Sequence, residues 1–167
     1  QWFYNWVVRI LMERVSTFCA ERAIRETGTP GKIRVIFSQR GGHSYGQTKA
    51  YWELLRSQEI SGGPLLNRYR MDFRTLGFWL VDYVPHYVNP GLQLADIVAS
   101  AFYQAIETGG KKWSVAPAKN LEPRVTLGKN GNASDTGLVL QPHTIDSIGL
   151  SPDQKLIFQH YGYKFRN

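Results

Sequence analysis

The chain has 167 residues, enough for one domain with a sizeable core. Its 43% hydrophobic and 13% aromatic content excludes a disordered chain, and its single cysteine, Cys19, excludes an internal disulfide and a multi-cysteine zinc site. Twenty Lys plus Arg against thirteen Asp plus Glu leave a formal charge of +7, which favours polyanions such as DNA or RNA, or an anionic membrane.

Lone-cysteine usage points to a reducing, cytoplasmic setting. The apolar start Trp2-Phe3-Tyr4-Asn5-Trp6-Val7-Val8 lacks a basic n-region, and Arg9, Glu13 and Arg14 interrupt its continuation, so it does not read as a signal peptide. No run approaches the roughly 20 apolar residues of a membrane span, and no membrane partner is expected.

Residues 2 to 26 predict an amphipathic helix. At about 100° per residue, Phe3, Val7, Ile10, Leu11, Val15, Phe18 and Cys19 share one arc, and Asn5, Arg9, Glu13, Ser16 and Thr17 the other. Gly28, Pro30 and Gly31 end it. The pattern is in phase from the first residues with no N-cap, which suggests that earlier elements of a larger domain precede residue 1.

Lys32 to Ser38 is short and β-branched and reads as a strand with Gln39 to His43 as its exit loop. Gln47 to Ile60 predicts a second helix, with Tyr51, Leu54 and Leu55 on one face, Ser44 as its cap and Ser61-Gly-Gly-Pro64 as its stop. Arg68 to Phe73 is open between strand and loop, whereas Gly77 to Val84 predicts a strand closed by Pro85. Pro90 to Glu107 predicts a third helix, ended by Gly109-Gly110.

The order helix, strand, helix, strand, helix implies an α/β layer structure, yet two or three strands are too few for a sheet covered on both faces. A preceding segment or a partner chain is therefore expected to complete the sheet. Beyond Lys111 the composition shifts toward Lys, Asn, Gly and Pro. Loops are expected there, with a hairpin around Asn130-Gly131 and a last helix that Ser151-Pro-Asp-Gln154 caps.

On the third helix Gln93, Asp96, Ser100, Gln104 and Glu107 fall within an arc of roughly 80°, with Leu94, Ile97, Val98, Ala101, Phe102 and Ile106 filling most of the rest. Two readings of Asp96 stand. It is an exposed acid on a solvent-facing strip, or it faces a cleft where a cation or metal ion must answer its charge.

The run Gly91-Leu-Gln-Leu-Ala-Asp96 followed by Ile-Val-Ala-Ser-Ala-Phe-Tyr103 resembles the C-terminal signature of the family called domain of unknown function 3800. The element order is similar to the later part of a ribonuclease H-like fold. Leu11 to Ser16, Val35 to Gly42 and Tyr45 to Leu55 also resemble one branch of that family, so that residues 1–110 correspond to the C-terminal part of such a domain and 111–167 to an extension.

The resemblance implies a metal-dependent nuclease in which Gln93 and Asp96 form one of two motifs. The acids would meet at the end of the sheet and bind Mg²⁺ or Mn²⁺ for phosphodiester hydrolysis. The other motif, an Asp-Glu pair near the family's N-terminus, has no counterpart in this sequence. These residues alone are then expected to be weakly active or inactive, and the alternative is a non-catalytic nucleic-acid or protein-binding module.

Ser38 stands at the end of the first strand, where many ribonuclease H-like folds carry an acid. Arg40 beside it suits a bidentate phosphate contact, or is a loop arginine paired with an acid or solvated. Asp82 is a partnered acid or a second carboxylate near Asp96. Glu13 reads as surface charge paired with Arg9, or less simply as a metal ligand.

The four histidines show no paired ligand spacing. Asn67 to Arg74 interleaves basic and aromatic residues, which suits backbone contact and base stacking or, equally, an edge strand. Arg68, Arg70 and Arg74, with Lys111 and Lys112, are candidate nucleic-acid contacts.

Overall fold

A computed structural model describes residues 2–42, 44–62 and 70–166. The first helix, α1 (Trp2–Thr27), ends where the Gly28 N–H donates to the Ile24 carbonyl at 2.9 Å. Gly28 sits at φ +77°, a left-handed C-terminal position that glycine takes without steric cost.

The facing of α1 departs from the expected one. Its buried residues are Val8, Arg9, Met12, Glu13, Ser16 and Ala20, whereas Phe3, Val7, Leu11 and Phe18 of the apolar arc are exposed. Hydrogen bonding explains how the polar arc turns inward. Arg9 Nε donates to Glu13 Oε1 at 2.8 Å, Ser16 Oγ accepts the Asp72 N–H at 2.9 Å, and Asn5 Oδ1 accepts from Thr48 Oγ1 at 3.0 Å. Glu13 is therefore a buried, paired acid instead of surface charge.

The strand β1 (Val35–Ser38) pairs in parallel with β2 (Val81–Val84), with Val35 opposite Val81 and Ser38 opposite Val84. Both strands are shorter than expected. Phe78–Leu80 turns as a 3-10 helix ahead of β2, closed by the Leu80 N–H on the Gly77 carbonyl at 2.9 Å. Residues 70–73 form no strand, and the rest of the Arg68-to-Phe73 stretch lies outside the described residues.

Side-chain alternation gives the pair two unlike faces. Val35, Phe37, Val81 and Tyr83 pack with Val8, Met12, Trp52, Met71 and Leu76, the core of the N-terminal unit. Ile36, Ser38, Asp82 and Val84 take the other face. Between the strands runs α2 (Tyr45–Ile60), which buries Thr48 and Trp52 and leaves Leu54 exposed, contrary to the grouping of Leu54 with Tyr51 and Leu55.

Two compact units divide the chain, one up to Leu92 and one from Gln93 onward. The third helix, α3 (Pro90–Ile106), begins with a proline in its first turn and with Asn89 Oδ1 accepting the Gly91 N–H at 2.9 Å. Its later turns bury Ala101 and Ala105 in a core with Ala118, Ala133, Ile157, Phe158, Tyr161 and Tyr163. Its earlier turns are not buried as their composition suggests: Leu94 is 64% and Ile97 61% exposed.

The C-terminal unit adds α4 (Ala116–Lys119) and α5 (Pro152–His160). Ser151 caps α5 as expected, with a reciprocal capping box to Gln154. Asn130-Gly131 lies in a tight turn where Gly128 N–H meets the Asn132 carbonyl at 2.8 Å, without the expected hairpin strands among the described residues. Tyr163 Oη orders the loops by accepting the Leu140 N–H and donating to the Leu138 carbonyl, each at 2.9 Å.

The described chain is a mixed α/β protein with five α-helices and a two-stranded parallel sheet. None of its described helices is long and apolar enough to cross a membrane.

Candidate functional site

Gln93 and Asp96 lie one turn apart near the start of α3, both exposed. Among the described residues neither side chain makes a hydrogen bond or an ion pair. Two later members of the polar strip are engaged: Gln104 donates to the Lys112 carbonyl, and Glu107 accepts from Tyr103 Oη at 3.3 Å. The strip is thus satisfied locally at its end and open at its beginning. Around the open part, Leu94, Ile97 and Val98 expose apolar surface.

In the N-terminal unit, Asp82 is held at 2.6 Å by Arg34 Nε on the outer face of the strand pair. That pair is largely exposed, so it orients Asp82 more than it stabilises the fold. Ser38 ends β1, half-buried, and its carbonyl accepts the Tyr45 hydroxyl at 2.9 Å. The backbone N–H of Arg40 in turn donates to Tyr45 Oη at 2.5 Å. The Arg40 side chain is exposed, with no carboxylate partner among the described residues.

Of the basic-aromatic segment, Arg70 pairs with Glu59 at 2.9 Å and Arg74 grips Asp72 through Nε and Nη2. The Asp72 carboxyl is held below its ordinary range, first by the hydrogen bond from Arg74 and against a smaller cost of burial. Arg68 lies outside the described residues, as does His43. Lys111 and Lys112 are exposed in the turn that follows α3.

A cluster that pattern reading did not assemble stands at the carboxyl end of the strands. The Tyr45 and Tyr83 rings lie 3.9 Å apart, Tyr83 Oη donates to the Tyr45 carbonyl at 3.4 Å, and Lys49 Nζ sits 5.3 Å from the Tyr83 ring centre. Burial, then the neighbouring Tyr4, Tyr45 and Asp82, pushes the Tyr83 phenol up to about 12. Tyr4 is also raised, first by burial and then by Tyr45, with Arg40 acting in the opposite sense. The available signal was the spacing of Tyr45 and Lys49, four residues apart on one face of a helix that leaves the strand's exit loop.

No group of three His, Cys, Asp or Glu side chains able to hold a metal ion stands together among the described residues. Comparisons with descriptions of known protein families, with curated proteins and with solved structures return no match to this chain.

Proposed function

We propose that the protein, in its complete form, has a ribonuclease H-like fold and hydrolyses phosphodiester bonds of DNA or RNA with Mg²⁺ or Mn²⁺, Asp96 being one of the metal ligands and Gln93 its neighbour. The observation that carries this reading is the open beginning of the α3 strip. Asp96 and Gln93 make no hydrogen bond or ion pair among the described residues, while Gln104 and Glu107 further along the same helix are engaged.

The donors fit such an ion in kind and fall short in number. Both cations take hard oxygen ligands, and Mg²⁺ demands a near-octahedral set. One carboxylate and one carboxamide leave most of that set to further acids and water. Exposed Leu94, Ile97 and Val98 beside Asp96 supply a surface for more protein to cover, and the remaining acids would arrive with it. Bound there, the ion would supply Lewis-acid activation of water and of the leaving oxygen.

A non-catalytic binding module of the same fold is the second reading. It is favoured by Ser38, a neutral hydroxyl at the end of β1, and by Asp82, which Arg34 already neutralises.

Mn²⁺ binding separates the two. Electron paramagnetic resonance of the full-length protein should show bound Mn²⁺ whose affinity falls at least about tenfold in Asp96→Asn. Equal affinity in both proteins removes Asp96 from the metal site and leaves the binding module.

A further inference from the structure

We propose that Arg40 and Lys49, set by Tyr45 and Tyr83 at the carboxyl end of β1 and β2, form a binding site for a phosphate group of a nucleotide or nucleic acid. The inference goes beyond the metal site, because none of its residues lies on α3 and it needs no divalent ion.

Arg9, Arg34, Arg70 and Arg74 each hold a carboxylate, at 2.8, 2.6, 2.9 and 2.7 Å. Arg40 and Lys49 hold none among the described residues. Arg40 on the loop that Tyr45 holds and Lys49 over the Tyr83 ring add positive potential at this edge, where the one carboxylate acting on Tyr83, Asp82, is already bound by Arg34. A phosphate with one to two negative charges would answer it.

The exit loop of β1 turns into α2 at the carboxyl edge of a parallel pair, the edge at which parallel α/β sheets receive ligands. Tyr45 Oη fixes that loop at two points, the Ser38 carbonyl and the Arg40 amide, so the base of the Arg40 side chain is held in place. Lys49 follows Tyr45 by one helical turn, and its ammonium is drawn over the Tyr83 ring. Arg40 would contribute a planar fork of donors and Lys49 a point charge, a complementary pair for phosphate oxygens. High-lying phenol ionisation at Tyr83 keeps the cluster free of added negative charge through the physiological range.

Binding of a fluorescent single-stranded oligonucleotide to the full-length protein, measured in EDTA with inorganic phosphate and a nucleoside monophosphate as competitors, tests the proposal. Arg40→Gln and Lys49→Gln should each weaken oligonucleotide binding about tenfold, the loss expected for one charge-assisted contact. Each should also reduce the salt dependence by about 0.7 in log–log slope. The charge-matched pair Arg25→Gln, in the last turn of α1, and Lys32→Gln, before the amino end of β1, should change affinity less than about twofold, the behaviour of remote surface charge. Lys49→Arg should retain most of the binding, which separates loss of charge from loss of fold.

Competition by inorganic phosphate or the mononucleotide in the native protein, abolished in the double variant Arg40→Gln/Lys49→Gln, assigns the site to the phosphate group itself. Weakening of the oligonucleotide alone assigns it to the phosphodiester chain. Affinity unchanged by Arg40→Gln and Lys49→Gln, or equal loss in the charge-matched pair, overturns the proposal. The chelator keeps Asp96 out of this readout, so failure here and failure of Mn²⁺ binding are told apart.

Discussion

Tyr45 closes onto Ser38 across the exit of β1. Its hydroxyl donates to the Ser38 carbonyl at 2.9 Å while accepting the Arg40 amide at 2.5 Å. One side chain thus satisfies the carbonyl of the last residue of β1 and an amide of its exit loop. Tyr45→Phe keeps the ring against Tyr83 and removes both bonds. The expected cost is about 1–3 kcal/mol, measured by urea denaturation, with faster amide exchange at Arg40 than at Val35. Unchanged exchange at Arg40 would show that the loop is held by something else.

The inward face of α1 carries its own consequence. Arg9 and Glu13 are both 8% exposed, and Arg14 approaches the second Glu13 oxygen at 4.0 Å. Removing the acid takes away the buried carboxylate that Arg9 holds at 2.8 Å, so Glu13→Ala should destabilise by about 3–5 kcal/mol. Replacing the pair together, Arg9→Met with Glu13→Leu, should recover most of that loss. A double variant as unstable as Glu13→Ala would contradict the account of this face.

Asp72 gives a pH dependence whose sign follows from its Arg74 partner. Its folded-state ionisation is depressed below the ordinary 3.8, so the stabilisation is fully present above that value and disappears as pH falls through the lower, folded one. Asp72→Asn should therefore melt earlier than the native protein at pH 7, and the gap should narrow progressively as the pH is lowered below the ordinary 3.8. A gap independent of pH would assign the effect to the backbone turn instead of to the carboxylate.

Several local signals in the sequence reappear in the structure, although Ser44 makes no side-chain cap on α2 and no hairpin strands flank Asn130-Gly131 among the described residues. The Ser151 cap, the Gly28 stop and the Pro90 start are decided within a few residues, and each appears in the structure. The facing of α1 is decided by Ser16 meeting Asp72, 56 residues away, and an apolar arc counted on one helix cannot reveal such a partner. The strand expected from Gly77 is shortened for a related reason: Phe78 to Leu80 has strand-like composition, but its backbone closes locally on Gly77.

For the candidate sites the division is similar. Gln93 and Asp96 are visible as a pattern because they share one helix. Tyr83 reaches Tyr45 across 38 residues, so its cluster with Arg40 and Lys49 exists only once β1, α2 and β2 have folded together.

Asp96 is proposed to serve a metal-dependent phosphodiesterase. The most direct measurement is the single-turnover cleavage rate of single- and double-stranded DNA and RNA by the full-length protein in Mn²⁺, beside Asp96→Asn checked for native melting. The account predicts cleavage abolished by EDTA and reduced at least about a hundredfold by the substitution, the order of loss when a group stabilising the transition state is removed. Equal Mn²⁺-dependent cleavage by the two proteins would contradict it.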